Sequence, residues 1–125
     1  MEPKNTTDSK TFSSSMTLNE YQALAMRSSK PLARDDQMVH AAMGLTSEAG
    51  ELMTAVKAAT FYNKPLDEVN AIEELGDVLW FLQLGATALG VSLGEIARTN
   101  ISKLQKRYPK MYSDADAIAR ADKNG

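Results

Sequence analysis

Apolar residues return at alternating spacings of three and four along most of this chain, the periodicity of amphipathic helices. Met38, Ala41, Leu45, Leu52, Ala55 and Ala59 form one such column, and the position that interrupts it is a carboxylate, Glu48. The pattern predicts a long helix from Asp35 or Asp36 to about Phe61. Upstream, Thr17-Leu18-Asn19-Glu20 is a capping box with Met16 placed to staple onto Tyr21, so a shorter helix should start there and end before Lys30-Pro31. Downstream, the turn Tyr62-Asn63-Lys64-Pro65 should lead to a third helix from Leu66 or Asp67 to Leu89, closed by Gly90. A fourth opens at a second capping box, Ser92-Leu93-Gly94-Glu95, and ends before Pro109.

The third helix is apolar on two sides. Ile72, Leu75, Leu79, Leu82, Ala86 and Leu89 make one column, and Glu74, Asp77, Phe81, Leu84 and Ala88 make another about 160° away at roughly 100° per residue. Three other helices are too few to cover both faces, so a homo-oligomer, dimer or tetramer, is expected, with the contact drawn from Leu75, Leu79, Leu82 and Ala86, although the pattern alone does not fix which of the two faces meets the partner. No stretch has the period of a strand. The expected fold is all-α: a four-helix bundle over residues 17–109, completed by homo-oligomerisation, with a flexible arm at 1–16 and a weak helix or flap at 110–125.

Composition narrows the chemistry. The chain has 125 residues, enough for one domain, and 14 basic against 16 acidic side chains leave a net charge of -2, so no global field recruits nucleic acid or an anionic membrane. The absence of cysteine excludes disulfides and thiolate metal sites, and a single histidine excludes a multi-histidine site. Carboxylates remain as metal ligands. The N-terminal residues lack the apolar stretch of a signal peptide, and Val78 to Gly94 is shorter than the ~20 residues of a membrane span, so the expected location is cytoplasmic.

The candidate chemistry lies in a near repeat, Glu48-Ala49-Gly50-Glu51-Leu52 and Glu74-Leu75-Gly76-Asp77-Val78. Acids three apart share a helix face, so two such pairs on antiparallel neighbours can converge. Glycine costs a helix ~1 kcal/mol relative to alanine, and its recurrence beside both pairs suggests close helix approach. The acid-bearing faces continue as core faces, and four carboxylates turned toward a bundle interior would repel one another unless protonated or bound to a cation. All-oxygen ligation suits Mg²⁺, with Mn²⁺ a possible substitute. A di-iron site would want a histidine three residues after a glutamate, which His40 is not.

Three segments together carry a resemblance: Gly44-Leu45-Thr46-Ser47-Glu48-Ala49-Gly50-Glu51-Leu52, then Glu73-Glu74-Leu75-Gly76-Asp77-Val78-Leu79, then Asn100-Ile101-Ser102-Lys103-Leu104-Gln105-Lys106-Arg107-Tyr108-Pro109. In this order and spacing they resemble the MazG-like all-α nucleoside triphosphate pyrophosphohydrolases, over roughly residues 18–109. The segment from Tyr112 to Arg120 is also similar to the stretch after the Tyr-Pro in many relatives. The resemblance implies hydrolysis of a nucleoside triphosphate, NTP or dNTP, to the monophosphate and pyrophosphate, with Mg²⁺ held by Glu48, Glu51, Glu74 and Asp77. One position departs from the pattern. Ser47 stands where the family often has a first glutamate, and it can orient water but not act as a carboxylate base.

Asn100, Lys103 and Arg107 recur at three and four on the fourth helix, bordering the column Ala97, Ile101, Leu104 and Tyr108. By themselves they read more readily as a solvated basic helix end than as a phosphate grip. With the resemblance, Asn100, Lys103, Arg107 and Tyr108 are the expected phosphate contacts. His40, Phe61, Tyr62 and Trp80 are candidates for nucleoside contact, against the plainer alternative that they are packing residues. The competing class of function is a catalytically silent oligomerisation module whose acids hold metal only structurally. Nucleic-acid binding by the fourth helix is disfavoured by Glu95 and the acidic helices nearby.

Overall fold

The computed structural model describes residues 15–124, and nearly all of the expected N-terminal arm lies outside them. The described residues contain helices and no strand. Helix α1 spans Leu18–Met26, α2 Arg34–Phe61, α3 Glu68–Leu89 and α4 Leu93–Arg107, while the tail forms two short helices, α5 (Asp114–Ala119) and α6 (Ala121–Asn124).

The starts of α1, α3 and α4 follow from local side-chain caps, whereas α2 begins at Ala33 without one. Thr17 Oγ1 accepts from the Glu20 amide at 3.0 Å and Glu20 Oε1 accepts from the Thr17 amide at 2.7 Å, the reciprocal box read from the sequence. Asp67 accepts from the Asn70 amide to open α3, and Gly90 closes it at φ 75, a left-handed conformation that glycine adopts without a Cβ penalty. Ser92 accepts from the Glu95 amide to open α4. That helix leaves α3 at 96° instead of folding back along it.

The antiparallel pair α2/α3 is the body of the fold. Ala41 meets Gly85 and Gly44 meets Phe81, so the register advances along one helix as it retreats along the other. Helix α1 lies against α3 and pins the α3/α4 corner through Asn19, whose Oδ1 accepts from the Gly94 amide at 2.9 Å, and through Gln22. Gln22 Nε2 donates to Thr87 Oγ1 at 3.0 Å and to the Val91 carbonyl at 3.1 Å, while its Oε1 accepts from the Leu93 amide at 2.7 Å. Arg34 Nε donates to the Ala88 carbonyl at 2.7 Å, fastening the start of α2 to the end of α3.

The buried set is small: Ala25, Ala41, Leu84, Ala86, Ala88 and Leu93, with the polar Gln83 among them. Of the two apolar columns on α3, the one containing Leu84 and Ala88 faces inward. The other is left bare, with Ile72 69% exposed and Leu75, Leu82 and Leu89 also exposed. Ala86 departs from the expectation, because it is buried within the chain and cannot belong to the outer face. Met38, Leu45, Leu82, Leu89 and Ile96 are among the residues lining an apolar groove of about 260 Å³ beside this face. No single helix among the described residues is long and apolar enough to cross a membrane.

The close-approach reading of Gly50 and Gly76 does not hold. A Cβ at either would meet nothing within 4 Å, whereas one at Gly44 would overlap the Phe81 ring. The tight crossing is therefore one to two turns from the acidic repeat, at the point where an aromatic ring has to pass between the helices.

Candidate metal and nucleotide site

The antiparallel register of α2 and α3 places Glu48 opposite Glu74 and Asp77. One carboxylate oxygen from each lies within 4.8 Å of the others, so two helices supply three oxygen ligands to one point. Glu48 and Glu74 are half-buried and Asp77 is exposed, which leaves the cluster open on one side. Glu51, expected as a fourth ligand, is exposed and stands outside this three-way set, although its charge reaches Glu74. The pairing of Glu74 with Asp77 on one face is the i, i+3 relationship of the sequence.

The electrostatics single out Glu74. Its Oε2 is buried with no hydrogen-bond partner. Burial, then a hydrogen bond with Glu48 and the negative charges of Glu48, Asp77 and Glu51, raise its pKa above the ordinary glutamate value. An orphaned carboxylate oxygen facing two further carboxylates is what a hard divalent cation would satisfy, and the all-oxygen donor set fits Mg²⁺ or Mn²⁺.

A group missed in the sequence also feels the charge of the cluster. Tyr21 of α1 has its phenol pKa raised, mainly by burial and also by the charge of Asp77. The capping box places Tyr21 on the first turn of α1, but only the packing of α1 on α3 brings it toward an acid 56 residues away in the chain.

The remaining expected site residues fall into two groups. Asn100 and Lys103 line a cleft of about 410 Å³ on α4 with Val91, Glu95, Ile96 and Thr99. Arg107 and Tyr108 are not part of it. Arg107 Nε and Nη2 donate to the two carboxylate oxygens of Asp122 at 2.7 and 2.9 Å, and the Tyr108 ring packs on Tyr112 at 5.3 Å. Both are engaged by the tail, which the sequence offered as a weak helix or flap without placing it against α4.

The aromatic candidates divide as well. His40, Trp80 and Phe81 form an edge-to-face cluster with centroid separations of 5.1 to 6.3 Å. Trp80 Nε1 donates to Ser28 Oγ at 3.1 Å and to the Ala25 carbonyl at 3.3 Å, so this indole secures α1. Phe61 and Tyr62 are exposed at the far end of α2, with Phe61 about 20 Å along the helix from Glu48 at 1.5 Å per residue. The structure does not bring them to the carboxylates.

A sequence profile of the MazG nucleotide pyrophosphohydrolase domain matches residues 39–112, which contain both acidic pairs and the whole of α4. The chain belongs to that family. The match to MazG supports nucleotide pyrophosphohydrolase chemistry at the level of the family and agrees with the all-α architecture. The Gene 37 protein of Mycobacterium phage L5 is 37% identical over 71 residues, covering 52% of this chain and 60% of the phage protein. The chain thus spans less than two thirds of that relative, whose name specifies no activity. No solved structure matches.

Proposed function

We propose that this MazG domain hydrolyses a nucleoside triphosphate, NTP or dNTP, between the α- and β-phosphates, releasing the monophosphate and pyrophosphate in a nucleotide-pool housekeeping role. The observation that carries this reading is the convergence of Glu48, Glu74 and Asp77 around a buried, unpartnered Glu74 oxygen. Those three residues would hold Mg²⁺, with the nearby charge of Glu51 adding to the field at Glu74. A divalent ion supplies charge neutralisation on the polyphosphate and acidifies an attacking water. The protein's own part is to gather the acids on two rigid helices and to grip the phosphates with Asn100 and Lys103, whose amide and ammonium donate to phosphate oxygens.

One chain keeps these two parts separate. Asp77 lies 12 residues before the end of α3 and Lys103 lies 10 residues into α4. With the helices at 96°, this places them about 23 Å apart at 1.5 Å per residue. We infer that a second copy packs on the bare α3 face of Ile72, Leu75, Leu82 and Leu89, and that the phosphate-gripping stripe of one copy serves the carboxylates of another. The apolar groove beside that face, with Ile96 of α4 in its lining, supports this arrangement.

The test of the activity is phosphate release from a nucleotide panel with Mg²⁺, measured with and without added inorganic pyrophosphatase. The expected result is phosphate that appears only with the coupling enzyme. Direct orthophosphate release would exclude α,β-cleavage, and no turnover of any nucleotide would favour the non-catalytic module.

A further inference from the structure

The Arg107–Asp122 pair stands apart from the carboxylate cluster and the α4 cleft, and it has the form of an occupied anion site. Two parallel N–H···O bonds of 2.7 and 2.9 Å are the fork that a guanidinium offers equally to a carboxylate or a phosphate. The Asp122 side chain is 0% exposed and that of Arg107 19%, so the tail covers the pair almost completely. Arg107 draws the Asp122 pKa down to about 2, which keeps this stand-in anion charged at any working pH.

The rest of the tail is weakly attached. The large apolar residue of the segment 113–124, Ile118, is 83% exposed, so little apolar surface would be uncovered by releasing that segment. Arg120, which joins α5 to α6, sits at φ 49, a left-handed conformation disfavoured for a residue with a Cβ. Lys103, one turn before Arg107 on the same helix face, adds positive charge that a polyphosphate can exploit better than a single carboxylate.

We propose that residues 113–124 form a latch in which Asp122 stands in for a nucleotide phosphate on Arg107, and that the incoming polyphosphate displaces Asp122 and releases the segment. The inference rests on the reading of α4 as the phosphate-binding helix. It adds a regulatory consequence: apparent affinity is set by how often the latch is open.

The full chain, Asp122→Asn and Arg107→Ala are compared in three measurements. These are binding of inorganic triphosphate with Mg²⁺ by calorimetry, KM and kcat on the best nucleotide, and hydrogen exchange over 113–124 with and without triphosphate. The latch predicts that Asp122→Asn lowers KM about three- to tenfold with kcat unchanged. It also predicts that triphosphate speeds exchange across the segment in the wild-type protein, a readout that needs no variant to fold. If Arg107→Ala weakens triphosphate binding while triphosphate leaves wild-type exchange unchanged, Arg107 meets phosphate and the latch is wrong. If Arg107→Ala binds triphosphate as tightly as wild type, the reading of Arg107 as a phosphate contact fails and takes the latch with it.

Discussion

Gly44 of α2 faces the ring of Phe81 on α3 so closely that a methyl group at residue 44 would overlap ring atoms Cδ1, Cε1 and Cζ. Phe81 has little freedom to yield, because its ring also packs at 5.4 Å from His40 and 5.1 Å from Trp80. Gly44→Ala should therefore lose about 1–3 kcal/mol to overpacking, more than the ~1 kcal/mol that alanine gains in a helix. Gly50→Ala meets nothing within 4 Å and should gain up to about 1 kcal/mol. Chemical denaturation of the two variants checks the pair. A destabilised Gly50→Ala would mean that another copy or a ligand fills the space beside the acids.

Removing charge from the carboxylate cluster should stabilise the metal-free protein. Glu74→Gln and Asp77→Asn keep shape and relieve repulsion, so both should melt higher than wild type in EDTA. Both should also lose most of the Mg²⁺-induced stabilisation, which for a functional site is about 2.7 kcal/mol at a hundredfold excess over Kd. Glu51→Gln, outside the three-way set, should show the smallest thermal effect of the acid variants. All three should turn over substrate poorly. Scanning fluorimetry with EDTA and with Mg²⁺ checks the thermal part, and identical melting curves for wild type and Glu74→Gln would disprove the convergence.

The same cluster sets a pH dependence. Glu74 has a folded pKa raised above 4.5 by burial and by Glu48, Asp77 and Glu51, so its contribution is full below 4.5 and is lost as pH rises through the folded value. Asp122 acts in the opposite sense, stabilising above 3.8 and losing its contribution as pH falls toward about 2. Of these two groups only Glu74 therefore adds a slope above pH 4.5. In EDTA, the melting temperature of wild type relative to Glu74→Gln should fall as pH is raised from 4.5 to 7, and a constant difference would contradict the assignment.

Composite sites make a prediction of their own. Asp77→Asn and Lys103→Ala should each be inactive or nearly so, yet mixing them in equal amounts should restore about a quarter of wild-type activity, because half the dimers then carry one intact site. Continued inactivity after subunit exchange would put both elements of a site in one chain.

Leu75→Glu and Ile72→Glu place charge on the bare α3 face and should lower the mass measured by light scattering without lowering helicity. A wild-type monomer at micromolar concentration would remove the need for the partner.

Much of this protein is determined locally, and that part was legible in the sequence. The Thr17 capping box, the Asp67 and Gly90 boundaries of α3 and the i, i+3 spacing of Glu74 and Asp77 depend on residues within one or two turns, so the sequence specifies them directly. The three-four columns likewise located α2 and α3 and showed that α3 has two apolar faces.

What the tertiary structure decided depends on register and direction between helices. That Glu48 joins Glu74 and Asp77 while Glu51 stays outside is set by how α2 rotates against α3, fixed at Gly44 and Phe81, several residues from any acid. Which column of α3 faces inward was symmetric in the sequence and was resolved by packing on α2, whose Gly44 receives the Phe81 ring. The turn of α4 away from α3 and the capture of Arg107 by Asp122 depend on a corner and on a tail with little apolar content. A hydrophobic periodicity records which side of a helix is buried, but it carries no record of where a charged fork 15 residues away will close.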